Sequence, residues 1–190
     1  MSRKTIPNPP DAGSLHQAAL HYLARYAATE AGLRRVLMQR IDRWARAQTD
    51  RDAAEPILEA ACAAVETLVK RLAETGAVSD AAFAESRAKT LVRGGRSSRS
   101  IQMRLVAKGV ASDLARSASD ADAETELAAA LVLARKRRIG PYRMAEQADA
   151  MIRLKEVALL ARAGFSRDIA EQALATARED AERRIFDLRK

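Results

Sequence analysis

The sequence predicts an all-α fold: tandem three-helix repeats forming an elongated, curved modular array. Three observations predict it. Apolar residues recur at three- and four-residue spacing through most of the chain, and no alternating run is long enough to read as a strand. Of the 190 residues 48% are apolar but only 4% aromatic, so Ala, Leu and Val must do the packing, which suits helices and not a β-sandwich. The chain also repeats itself. Leu105, Gly109, Asp113 and Ala115 recur as Leu160, Gly164, Asp168 and Ala170, and the apolar residues Val110 and Leu114 answer to Phe165 and Ile169. That pattern is a helix, a glycine C-cap, an apolar residue closing the turn, and an acid at the next helix N-terminus. Three tandem units are the economical arrangement. The boundaries are a disordered tail over 1–13, a first unit over 14–78, a second over 79–119, and a third over 120–190 with a C-terminal helix.

Each element has its own signal. The tail has basic residues, Pro, Asn and Gly but no apolar stretch behind them, so it is no signal peptide. Ser14 to Tyr26 reads as a first helix with Leu15, Ala18, Ala19, Tyr22 and Leu23 on one side. Thr29 can cap a second, striped by Leu33, Val36, Leu37, Ile41 and Trp44. The polar stretch 48–55 is a loop or frayed turn, and Pro56 is tolerated in a helical first turn. Leu58, Cys62, Val65, Val69 and Leu72 then mark the best-patterned helix, which Gly76 closes. Ser79 or Asp80 caps the next, with Phe83, Ala84, Ala88 and Leu91 inward. Gly94 and Gly95 end it, and Ser97 or Ser98 caps a helix carrying Ile101, Leu105 and Val106 up to Gly109. A short helix follows from Ser112 or Asp113 to Ala118. Ser119 to Glu126 is an acidic connector. Leu127, Ala130, Leu131 and Ala134 pattern a helix ending in four cations, and Gly140-Pro141 stops the chain there. A long helix is expected from about Arg143 to Ala163, with Ala148, Met151, Leu154, Ala158 and Leu159 inward. Ser166 caps a last helix through Ile169, Ala173 and Leu174 that runs on towards Phe186.

The charge points to function. Lys and Arg outnumber Asp and Glu by 33 to 25, which favours acidic partners, nucleic acid above all. Between Glu85 and Asp113 there is no acid, and Arg87, Lys89, Arg93, Arg96, Arg99, Arg104 and Lys108 stand there instead. Arg135, Lys136, Arg137 and Arg138 add a second cluster. A basic helix face can be a mere solvated surface, and a cationic helix end suits its dipole, but seven cations uninterrupted by an acid are uncommon. No nucleophile with its base, carboxylate pair or metal cage is visible. His16 and His21 are five apart on one helix and no third ligand completes them. Gly94-Gly95 is no phosphate loop, since no Gly-Lys-Ser/Thr follows. Trp44 could stack on a base, but packing suits it better. No run approaches the roughly 20 apolar residues of a membrane span. The one cysteine, Cys62, sits in an apolar stripe and fits a reducing cytoplasm.

Asp80 with Phe83-Ala84, then Gly95, Ile101, Leu105 and Lys108-Gly109-Val110, resembles the central signature of the RecX family of recombination regulators. Arg162, Gly164 and Phe165 continue the resemblance in the third unit, and Tyr22-Leu23-Ala24, Thr29, Leu33-Arg34 and Leu37 in the first. It spans roughly Leu15 to Leu174. Thr29 stands where serine is usual, and Asp42 to Glu55 lengthens the first unit. The resemblance implies a cytoplasmic, monomeric modulator that lies in the groove of RecA–DNA filaments. It would inhibit RecA's ATPase and strand exchange by limiting filament extension or promoting disassembly, without chemistry, cofactor or metal of its own. Single-stranded DNA would be contacted weakly and no membrane at all. The eleven cations named above are the expected contacts. Two alternatives remain: a direct, sequence-nonspecific DNA- or RNA-binding helical module, and a helical adaptor for an acidic protein.

Overall fold

The computed structural model describes residues 8–144 and 149–190. Among them the chain forms ten α-helices, one short 3₁₀ turn and no strand. It divides into two compact units, Met1–Phe83 and Ala84–Lys190, with the division falling inside one helix.

The first unit holds α1 (Ala12–Leu23), α2 (Glu30–Ala45) and α3 (Arg51–Glu74). α1 starts two residues before Ser14 because Asp11 is its cap. The Asp11 carboxylate accepts from Ser14 N–H at 2.7 Å, and Ser14 Oγ accepts in return from Asp11 N–H at 3.1 Å. That amide bond holds the Asp11 carboxyl below its ordinary range. The tail expected over 1–13 is therefore helical by Ala12, and residues 1–7 lie outside the described residues. α1 ends at Leu23, short of Tyr26. Thr29 caps α2 by accepting from Gly32 N–H at 2.9 Å. Asp50 caps α3, so much of the expected loop at 48–55 is helix and Pro56 falls in the second turn. There it has no N–H to offer the Asp52 carbonyl one turn back. Leu15, Leu33, Leu37, Ile41, Val65, Val69 and Leu72 form the core. Leu58 and Cys62 are half-buried at its edge, because α3 turns Ala61 and Leu68 inward as well. Trp44 is buried, which removes it from base stacking.

The helix that crosses the division is α4 (Asp80–Arg93). Ser79 Oγ accepts from Ala82 N–H, while Asp80 accepts from Glu30 N–H at 2.8 Å, tying the start of α4 to the start of α2. The second unit continues with α5 (Ser98–Ala107), α6 (Ser112–Ser119), α7 (Ala123–Arg137), the 3₁₀ turn Gly140–Tyr142, α8 (Ala150–Arg162), α9 (Arg167–Ala175) and α10 (Arg178–Asp187). α7 is its axis. Leu127 to Val132 and Ala134 are all buried, so the helix is covered on every side. α9, α10 and the 3₁₀ turn pack on it. The connector expected over Ser119 to Glu126 is shorter, because Asp122 caps α7 through Thr125 N–H at 2.7 Å.

The two copies of the internal repeat share one geometry. Val110 N–H donates to Leu105 carbonyl at 3.1 Å, and Phe165 N–H to Leu160 carbonyl at 3.2 Å. Gly109 and Gly164 stand between, with φ of 94° and 97°. Each is a Schellman cap whose closing apolar residue is buried beside the leucine.

Two helices depart from expectation. α8 starts at Ala150, not near Arg143, because the 3₁₀ turn occupies Gly140–Tyr142 and Asp149 caps the helix through Ile152 N–H. Met151 and Leu154 are exposed; Leu160 and Glu156 are the buried positions, and Ala148 lies outside the described residues. The buried Glu156 carboxylate takes both arms of the Arg143 guanidinium, one at 2.9 Å. The last helix also breaks. Thr176 is extended and α10 starts afresh at Arg178, which lets Ala173 and Ala181 both reach the core. Tyr142 is buried under Arg178, whose guanidinium lies 5.7 Å from the ring centroid. Among the described residues its hydroxyl makes no well-formed hydrogen bond. Burial, with the Glu182 carboxylate nearby, pushes the phenol up to about 12.

Candidate functional site

The site is the turn between α4 and α5. Gly95 takes φ 81°, its N–H donates to Val92 carbonyl at 2.8 Å, and Arg96 N–H donates to Leu91 carbonyl at 3.1 Å. A Cβ on Gly95 would lie 2.9 Å from Val132 Cγ1 and 3.0 Å from Leu133 N, so α7 passes too close for any side chain. The turn thus needs glycine twice over, for its backbone and for its neighbour.

Three helix ends are then satisfied by groups from another helix or turn. Lys136 Nζ of α7 donates to the Gly94 carbonyl at 2.6 Å, covering the C-terminal end of α4. The Glu126 carboxylate of α7 accepts from Ser98 N–H at 3.1 Å and from Ser98 Oγ at 2.7 Å, at the N-terminus of α5. Ser97 caps α5 through Ser100 N–H and donates its own Oγ–H to the Ala163 carbonyl at 2.7 Å, at the C-terminal end of α8. Ser97 is fully buried, and a Cβ on Gly164 would come within 2.5 Å of its Oγ. Every exposed cation of the turn therefore hangs from a backbone held on three sides.

Proximity in space sorts the predicted contacts differently from proximity in sequence. Arg96 and Arg99 are exposed on the clasped turn, and Arg104 on α5 and Lys108 at its C-cap are exposed, away from the buried Ile101 and Leu105. Arg137 and Arg138 are exposed at the end of α7. The Lys136 bond to Gly94 brings that end against the central turn, uniting the two basic clusters. Three of the remaining predicted residues have acids close by. Arg135 pairs with Glu182 at 3.1 Å. Lys89 and Arg93 line a cleft of about 630 Å³ whose lining includes Glu85, Asp120 and Asp122. Arg87 is exposed on α4. The uninterrupted basic run of the sequence is thus interleaved with acids in the fold at Lys89 and Arg93, while Arg96 and Arg99 on the turn, Arg104 on α5, and Arg137 and Arg138 at the end of α7 stand exposed. Sequence reasoning missed Glu126, placed in an acidic connector; no local pattern marks a carboxylate that caps a helix twenty-eight residues away. It also missed the burial of Ser97 against α8. Among the described residues no group of three or more His, Cys, Asp and Glu side chains could hold a metal ion, and no helix is long and apolar enough to cross a membrane.

A family model described as RecX, second three-helix domain, matches residues 79–118, which hold the clasped turn. The regulatory protein RecX of Myxococcus xanthus (strain DK1622) is 41% identical over 162 residues, covering 84% of this chain and 83% of that protein. This chain belongs to the RecX family. The regulatory protein RecX of Agrobacterium fabrum (strain C58 / ATCC 33970) is 39% identical over 112 residues, 58% of this chain and 59% of that one. The crystal structure of RecX from Lactobacillus salivarius superposes with a TM-score of 0.63 at 19% identity, covering 86% of this chain and 94% of the other. That likeness shows the fold: tandem three-helix segments with no strand among the described residues. Within the RecX frame the clasped turn belongs to the second segment, and α7 and α8, which hold it, to the chain that follows.

Proposed function

We propose that this RecX-family chain lies in the groove of RecA–DNA filaments and restrains RecA's ATP hydrolysis and strand exchange, limiting filament extension or promoting disassembly. Arg96, Arg99, Arg104 and Lys108 make the central contacts, and Arg137 and Arg138 extend them. Arg87, Lys89, Arg93, Arg135 and Lys136 contribute less, since most have acidic neighbours or bond within the chain. The protein acts as a monomer in the cytoplasm, adding no chemistry, through three units bounded at 14–78, 79–119 and 120–190. The single observation that carries the reading is the basic turn clasped at three helix ends. A rigid array of cations meets a repetitive acidic surface with little ordering cost on binding, and several weak contacts on one chain act at high effective concentration.

The test changes Arg96, Arg99, Arg104 and Lys108 together to Ala. All four are exposed, so helicity and melting temperature should stay close to the parent. Inhibition of DNA-dependent ATP hydrolysis by RecA should fall sharply. Leu105→Ala, at a fully buried site, should instead cost roughly 2–5 kcal/mol of stability. A folded quadruple variant that still inhibits RecA like the parent would remove this surface from the mechanism. Tight, salt-resistant binding to one duplex sequence would favour the direct DNA-binding reading instead, because phosphate contacts alone should steepen the log–log salt dependence by roughly 0.7–0.9 each.

A further inference from the structure

We propose that the groove between α8 and α9 is a docking site for a protein segment that carries apolar anchors along one side of a helix and acidic residues beside them. The burial pattern of α8 is inverted. α8 is thirteen residues long and mostly apolar, yet its buried residues are Glu156 and Leu160. Met151, Ile152 and Leu154 are 59%, 38% and 63% exposed. A helix that sinks its acid and shows its large apolar side chains leaves a face without a partner among the described residues.

Beside that face is a groove of about 550 Å³. Leu154, Val157 and Ala158 of α8 and Leu174 of α9 supply its apolar lining. Leu174 is braced from behind, since a Cβ on Gly140 would come within 2.8 Å of its Cδ2. The size and the helix-pair walls suit apolar anchors at i, i+3 and i+4 spacing.

Charge selects the occupant. The exposed charges of α8 are Arg153, Lys155 and Arg162, all positive, while its acid Glu156 is spent on Arg143. On α9, Arg167 and Glu171 cancel in a 2.6 Å pair, and the further acid Asp168 is exposed but does not line the groove. Arg153 lines the groove and pairs with no acid among the described residues. The rim therefore favours acidic side chains. A second copy of this chain is disfavoured, because a two-fold contact would set these cations against themselves. Nucleic acid is disfavoured too, as the groove lining carries no aromatic ring on which a base could stack.

The test uses the full chain, isotope-labelled for amide NMR. The probe is a short synthetic helix-forming peptide with leucine at every third or fourth position and glutamate between. Its counterpart replaces glutamate by lysine. The acidic peptide should bind saturably and move amides within residues 150–175, and the lysine peptide should bind at least ~10-fold more weakly. Leu154→Asp and Arg153→Glu alter exposed positions, so both should keep the parent's helicity, and each should weaken the acidic peptide about tenfold. Absence of saturable binding would overturn the assignment. So would equal binding of both peptides, amide shifts centred on the Arg96–Arg99 turn, or parental affinity in the two variants. Concentration-dependent dimerisation abolished by Leu154→Asp would overturn it in favour of a second copy.

Discussion

Arg138 occupies a backbone conformation that arginine does not choose. Its φ is 55°, and among the described residues it is the sole non-glycine with positive φ. It ends α7 in the same way that Gly95, Gly109 and Gly164 end α4, α5 and α8, and Ile139 N–H closes the turn on the Ala134 carbonyl at 3.1 Å. The left-handed region costs an L-residue about 1–2 kcal/mol, of which glycine would return about 0.5–1 after its own chain entropy. Arg138→Gly should therefore raise stability by about 0.5–1 kcal/mol in denaturant melts while weakening RecA inhibition, because it deletes a cation beside the clasped turn. Opposite signs in the two measurements are the mark of a residue kept for its charge. A lowered melting temperature would show that the guanidinium stabilises the fold instead. The sequence displays this residue only as the last of four cations; that it sits at a glycine position emerges from Ile139 turning back into the core.

At the scale of the element, glycine positions that look alike in sequence differ in what surrounds them. Gly76 and Gly95 have similar φ, 73° and 81°, but nothing lies within 4 Å of a Cβ on Gly76, while α7 backbone and side chain crowd one on Gly95. Both Gly→Ala changes carry the left-handed penalty of about 1–2 kcal/mol. Gly95→Ala should cost about 1–3 kcal/mol more, the usual range for overpacking, in equilibrium unfolding. Equal losses would mean that α7 yields without strain. Much of the helix pattern was legible: Thr29, Ser97 and Ser166 cap where their oxygens permit, and the Leu–Gly–apolar repeat announces two identical caps. The failures share a cause. Asp149 and Thr176 place a start and a break where no glycine or proline stands in the chain, since α7 is wrapped by small residues and decides where α9 and α10 can lie. Likewise Met151 and Leu154 read as core because periodicity cannot tell a face turned to the protein's own core from one left open.

At the scale of the molecule, the segment matched by the family model does not carry a large core of its own. Among the described residues the two hydrophobic clusters draw on residues 15–78 and 127–185; the buried Ala84, Ala88, Ile101, Leu105, Val110 and Ala115 stand outside them, and Val92 packs against the second. A peptide of residues 79–118 should therefore show little helix by circular dichroism, whereas 79–190 should melt cooperatively. Cooperative melting of the shorter piece would show that the clasp adds nothing to its folding. The candidate site was legible as a list of cations but not as a surface, because Glu126, Asp120 and Asp122 approach it only through folding. The same clasp constrains how such a chain can change length over time. Ser98 and Glu126, Gly94 and Lys136, and Ser97 and Ala163 each close a loop whose ends meet at hydrogen-bond distance. An inserted or deleted residue inside α7 between Glu126 and Lys136 would rotate one of these two partners about 100° around the helix relative to the other and open its bond. The link between α2 and α3, exposed at Ala47 and Thr49, carries no such tie, so insertions and deletions should collect there and spare the interval from Glu126 to Lys136.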